Sequence, residues 1–126
     1  MKRLFLAMTL ACAAGCATIK TASDYLGCGV DGGETPLETV EIENTGWLLF
    51  KCIPIWSGNP ERPNAVSTRF FRNTVTLQNN LDMLQHEMKR CGATRMTNLS
   101  SRKTDESILL IIFSHQAYHT SAVLLK

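Results

Sequence analysis

The sequence lacks a strong net charge and lacks a long apolar run, and each shortage excludes a class of protein. Its 126 residues carry 13 Lys and Arg against 11 Asp and Glu, which gives a formal net charge of +2. A nearly neutral chain has no broadly basic surface to neutralise phosphates, so nucleic acid is not an expected partner. The longest apolar run near the start has about eleven residues, whereas a membrane-spanning helix needs roughly 20.

Recognisable catalytic motifs are also missing. Ser114, His119 and Asp105 have neither the spacing nor the nucleophile elbow of a hydrolase. Glu41 and Glu43 would share one face of a strand and are typical of solvated charges. We therefore expect no enzymatic activity, no catalytic residue and no cofactor.

The first fifteen residues have the order of a secretory signal peptide. Lys2 and Arg3 give a basic start, residues 4–14 form an apolar run, and small residues close it. Without this segment, eleven basic side chains would balance eleven acidic ones in the mature chain. We expect residues 1–15 to be removed on export.

The end of this run, Ala13-Ala14-Gly15-Cys16, resembles the lipobox of bacterial lipoproteins. The resemblance covers residues 1–16. It implies that diacylglycerol is joined to the Cys16 thiol and that signal peptidase II cuts between Gly15 and Cys16. Two or three acyl chains would hold the protein to a membrane stably, which a single chain does not.

Two further residues bear on this resemblance: one offers a rival lipid site and the other indicates which membrane is favoured. Cys12, which follows Thr9-Leu10-Ala11, is a weaker rival because cleavage there would shorten the apolar run. Ala17 stands where an aspartate tends to retain lipoproteins in the inner membrane of enterobacteria. The resemblance therefore favours a lipid-anchored position on the periplasmic side of the envelope, with the outer membrane preferred over the inner membrane.

The mature chain is expected to contain a tether and one small domain. Residues 16–37 form the lipidated N-terminus and a flexible, Gly-rich tether, and residues 38–126 form the domain. The predicted strands are 39–44, 47–56, 93–99, 107–114 and 117–125, with turns at 45–46 and 100–106. The expected fold is α+β: a small, mostly antiparallel sheet in the order ββαβββ, with one amphipathic helix packed on it.

The helix is predicted by apolar residues at spacings of 4, 3, 4 and 3, namely Leu77, Leu81, Leu84, Met88 and Cys91. Thr76 is the expected N-cap because its hydroxyl can accept a free backbone N–H. Gly92 is the expected terminator.

This layout loosely resembles small bacterial lipoproteins of unknown function. The resemblance depends on Gly46-Trp47, Leu49-Phe50, Ile53-Pro54 and Gly58-Asn59. It implies location and fold but no activity. Together with the absence of catalytic motifs, it favours a non-enzymatic interaction or structural module whose partner is an envelope protein or a cell-wall polymer, besides the membrane bound through the lipid.

Several side chains leave alternatives open. Cys52 and Cys91 are the most plausible disulfide pair in an oxidising envelope, although both also suit plain buried thiols. His115 and His119 would lie on one side of a strand, which leaves a metal-binding or hydrolytic protein as the alternative function; no metal site is expected from two ligands. Phe70 and Phe71 are expected to pack between the helix and the sheet.

Overall fold

The computed structural model describes residues 16–22, 34–108 and 112–126 as one antiparallel sheet with one helix. The predicted α+β class, with an amphipathic helix packed on a mostly antiparallel sheet, is confirmed. The elements are β1 (Ala17–Ala22), β2 (Pro36–Leu49), β3 (Ile53–Gly58), β4 (Thr68–Phe70), α1 (Leu77–Cys91), β5 (Arg95–Ile108) and β6 (Phe113–Leu125).

The two long strands β2 and β6 form the centre of the sheet. The main strand order is β4-β3-β2-β6-β5, and β1 also pairs with β2. Residues 39–44 of β2 pair with β1, whereas residues 46–49 pair with β3, so β1 and β3 share one edge of β2. The end of β3 therefore lies where β1 begins.

The helix α1 and its caps form as the sequence predicts, although Leu77 of the predicted apolar face is 39% exposed and Met83, outside that face, is buried. The Oγ1 atom of Thr76 accepts a hydrogen bond from the Asn79 amide at 3.2 Å, and Gly92 ends the helix in the left-handed conformation with φ of 75°. Leu84 is fully buried. It belongs to a core cluster with Ala17, Val40, Ile42, Met83, Ala122 and Leu124. Even-numbered residues of β2 and β6 thus face α1, and odd-numbered ones face away.

The predicted tether is wrong at both ends. Residues 17–22 form β1, and residues 36 and 37 already belong to β2. β1 is held because Ala17 and Ile19 contribute apolar side chains to the core beneath α1. The remaining part of the expected tether, residues 23–33, lies outside the described residues.

The apolar stretch 47–56 is a hairpin and not one strand. β2 runs through the expected turn at Gly46 and ends at Leu49. The chain then reverses at Phe50 and Lys51, whose φ angles are 51° and 60°. Gly46 serves close packing instead: a Cβ there would lie 2.8 Å from a methyl carbon of Val75.

The second half of the chain also differs from the expected pattern. Residues 100–106 were predicted as a turn but lie within β5, which is exposed along nearly its whole length. As an edge strand, β5 tolerates a charged sequence because only one of its sides is paired. The apolar run 107–114 was predicted as a central strand, yet β5 ends at Ile108 and β6 begins at Phe113. Over the described residues the order is ββββαββ in place of ββαβββ.

Candidate functional site: the Cys16 docking position and the open sheet face

Cys16, the predicted lipidation residue, lies at the edge of the sheet directly before β1. Its backbone nitrogen donates to Thr45 Oγ1 at 2.9 Å, and the Thr45 amide donates to the Cys16 carbonyl oxygen at 2.8 Å. The Cys16 Sγ atom lies 3.8 Å from Thr45 Oγ1. Because Thr45 is an odd-numbered residue of β2, the thiol lies on the sheet face opposite α1, which we call the open face. Cys16 as a whole is an exposed residue.

Gly58 makes this close approach feasible. A Cβ atom at Gly58 would overlap the carbonyl group of Cys16 and the amide nitrogen of Ala17. The end of β3 and the start of β1 can therefore meet only because this position has no side chain.

Asn64 holds β1 from its outer side. Its side-chain amide accepts from the Ile19 nitrogen at 2.9 Å and donates to the Ile19 oxygen at 3.1 Å, and its backbone nitrogen donates to the Ala17 oxygen at 2.9 Å. Asn64 thus replaces a neighbouring strand along this part of β1. A φ of 63° places it in the left-handed region, which asparagine tolerates better than most residues.

Ala17 is buried in the core beneath α1. An aspartate at this position would bring a carboxylate into apolar surroundings, which is costly without a partner. Packing alone therefore gives a reason for a small apolar residue after Cys16, independent of any sorting signal.

Beyond Cys16, one half of the open face is polar. Two rows of paired residues cross β1, β2, β6 and β5 there, Thr18-Glu43-His119-Arg102 and Lys20-Glu41-Ser121-Ser100. They line a shallow cavity of about 180 Å³. Basic and acidic side chains are mixed within it, so it selects no single sign of charge.

The other half of the open face is apolar and aromatic. Trp47 pairs with Trp56, which pairs with Phe70, and in the next row Ile53 pairs with Leu49, which pairs with Phe113. We call these six residues the aromatic patch. His115 borders the patch, with its ring 5.0 Å from the Trp47 ring at 51°. The expected burial of Phe70 between helix and sheet is wrong, because Phe70 is 65% exposed on the open face; Phe71 is exposed as well.

The three histidines are dispersed. His115 and His119 share the open face, as predicted, but four residues along a strand span roughly 13 Å. Both imidazoles would need to lie about 2 Å from one zinc ion, which this separation prevents. His86 is on α1, near Asn64 and Arg90. Among the described residues, no group of three or more His, Cys, Asp or Glu is placed to hold a metal ion.

The suggested Cys52–Cys91 disulfide is not formed, and both thiols are free. Cys91 packs against the core cluster that contains Val40 and Ile42, whereas Cys52 follows the reversal after Leu49. Leu49 lies seven residue steps along β2 from Ile42, a distance of roughly 23 Å, far beyond the 7 Å that a disulfide allows between Cα atoms.

The sequence predicts Cys16 as the lipid site but gives no signal for Thr45, Gly58 and Asn64, which position it in the structure. Asn64 lies in a stretch rich in Gly, Pro and Asn, where composition indicates a loop but not a contact 45 residues away. The predicted signal peptide, residues 1–15, which includes Gly15 and the rival Cys12, lies outside the described residues.

Comparisons with known proteins found no family model, curated protein or solved structure that matches this chain. Within the described part of the chain, no helix has the length and apolar character needed to cross a membrane.

Proposed function

We propose that this protein is a membrane-anchored lipoprotein of the bacterial envelope, acylated on Cys16, and that its domain acts as a non-enzymatic interaction or structural module. The observation that carries the proposal is the position of Cys16. Cys16 is an exposed residue at the edge of the sheet, and in the sequence it directly follows the small residues of the lipobox-like motif. An acyl group there would extend away from the sheet without displacing core side chains.

The amide geometry is compatible with this modification. The Cys16 nitrogen makes one hydrogen bond, to Thr45 Oγ1. An N-acylated cysteine keeps one N–H, so this bond can persist after cleavage before Cys16 and acylation of the new amino group. We place the protein on the periplasmic side of the outer membrane, with an envelope protein or a cell-wall polymer as its partner.

The test is labelling of cells with a palmitate analogue, followed by membrane fractionation. Cys16→Ala should abolish the label and prevent processing, and its backbone bonds to Thr45 leave the fold intact. Cys52→Ala is the matched control because Cys52 is another exposed free thiol, and it should keep the label. Cys12→Ala should also keep it. A processed Cys16→Ala protein that still sediments with membranes would contradict the proposal.

A further inference from the structure

The distance between the lipid site and the aromatic patch is short. Thr45, which contacts Cys16, lies two residues from Trp47 on the same face of β2, a separation of about 7 Å. β1 begins at Ala17, so no spacer separates Cys16 from the sheet. A diacylglycerol on the Cys16 thiol would therefore bring the open face, and not another side of the domain, next to the lipid headgroups.

The patch has the composition of a membrane-interface surface. Phe70 and Ile53 are 65% and 49% exposed, and both tryptophans of the chain are in the patch, half-buried and with inaccessible indole nitrogens. Tryptophan and phenylalanine are favoured at the boundary between headgroups and acyl chains, where their rings leave water without entering the bilayer core.

We propose that the aromatic patch lies against the phospholipid surface and fixes the orientation of the domain on the membrane. This proposal rests on the proposed acylation of Cys16. The helix α1, on the opposite side of the sheet, then faces away from the membrane. The polar half of the open face, with Lys20 and Arg102 balanced by Glu41 and Glu43, lies beside the contact and adds no net charge to it. The contact is thus driven by burial of apolar surface, and it does not require anionic lipid.

The two tryptophans give a direct readout. The lipidated full-length protein is reconstituted into phosphatidylcholine vesicles, and its tryptophan emission is compared with and without brominated phosphatidylcholine, which quenches on contact. We expect quenching by the brominated lipid and weaker quenching by aqueous acrylamide than for the same protein before reconstitution. Both effects should persist when salt is raised, because surface electrostatics would be screened but apolar burial would not.

Two aliphatic residues of equal exposure give matched variants. Ile53 is 49% exposed within the patch, and Leu99 is 50% exposed in β5 near the register shift before Ser100. Leu99 is about 20 Å along the sheet from the Trp47 row. Ile53→Ser should reduce quenching by brominated lipid, whereas Leu99→Ser should leave it unchanged. Circular dichroism and the thermal midpoint confirm that each variant is folded.

The outcomes separate the two proposals. Protein that carries no acyl group and does not float with vesicles refutes the lipid-anchor function itself. Protein that floats with vesicles but whose tryptophans are unquenched by brominated lipid refutes the orientation. Crosslinking into dimers with unquenched tryptophans would assign the patch to a second copy of the chain, and this also overturns the membrane contact.

Discussion

The docking of β1 depends on Asn64, and the substitution Asn64→Gly tests this. Glycine removes the two side-chain bonds to Ile19, at 2.9 and 3.1 Å, while it accepts the φ of 63° without strain. Each such bond contributes about 0.5–1.5 kcal/mol net, and these are exposed, so we expect a loss of about 1–2 kcal/mol. The added freedom of glycine in the unfolded chain costs a further 0.5–1 kcal/mol or so.

Asn98→Gly is the control that separates the loss of the Asn64 hydrogen bonds from the entropic cost of introducing a glycine. Asn98 also has a positive φ, of 52°, and its strand β5 is separated from β1 by β2 and β6. The two variants therefore share the entropic cost, and the difference between their unfolding free energies in urea reports the bonds to Ile19.

Hydrogen exchange shows which part of the sheet loses stability in Asn64→Gly. In Asn64→Gly the Ile19 amide loses its acceptor, so its protection should fall roughly tenfold for each 1.4 kcal/mol lost. Amides of the β2–β6 ladder should change little. Equal unfolding free energies for Asn64→Gly and Asn98→Gly, with unchanged exchange at Ile19, would refute the role of Asn64 in holding β1.

Two further predictions concern the core and the β2–β3 turn. Leu84→Asp places an unpaired carboxylate in the fully buried core and should cost at least about 3 kcal/mol, which is measured as a lower thermal midpoint, whereas exposed Gln85→Asp on the same helix should change it little. Lys51→Gly relieves a φ of 60° and should stabilise the protein by about 1 kcal/mol in urea unfolding. Lys103→Gly, in the exposed strand β5, should instead destabilise it, and a loss of stability in both lysine variants would contradict the strain at Lys51.

The sequence alone determined the helix, and it predicts Cys16 as the lipid site. The helix could be read because its signals are local: the apolar spacing, the Thr76 cap and Gly92 all act within one or two turns. The resemblance to a lipobox could be recognised for the same reason, because it depends on four consecutive residues. Thr39 to Asn44 was also predicted correctly as a strand, since alternation marks one buried face.

The turn between β2 and β3 was decided by tertiary structure. A two-residue reversal with two positive φ angles favours Asn-Gly, and Phe50-Lys51 carries no such signal. The pairing of Leu49 with Ile53 and with Phe113 outweighs the local cost of this turn. The polar strand β5 is a similar case, because pairing with β6 supplies the order that its sequence does not indicate.

The same reason explains why the sequence did not predict the contact of Cys16 with the sheet. From composition alone, residues 17–22 were predicted to be part of a tether. In the structure this segment contacts Asn44, Gly58 and Asn64, which lie 27 or more residues away in the sequence. Such contacts form only once β2, β3 and the loop after β3 have converged. The sequence thus predicts which residue carries the lipid, whereas the tertiary structure decided that this residue adjoins the sheet and on which of its faces the thiol lies.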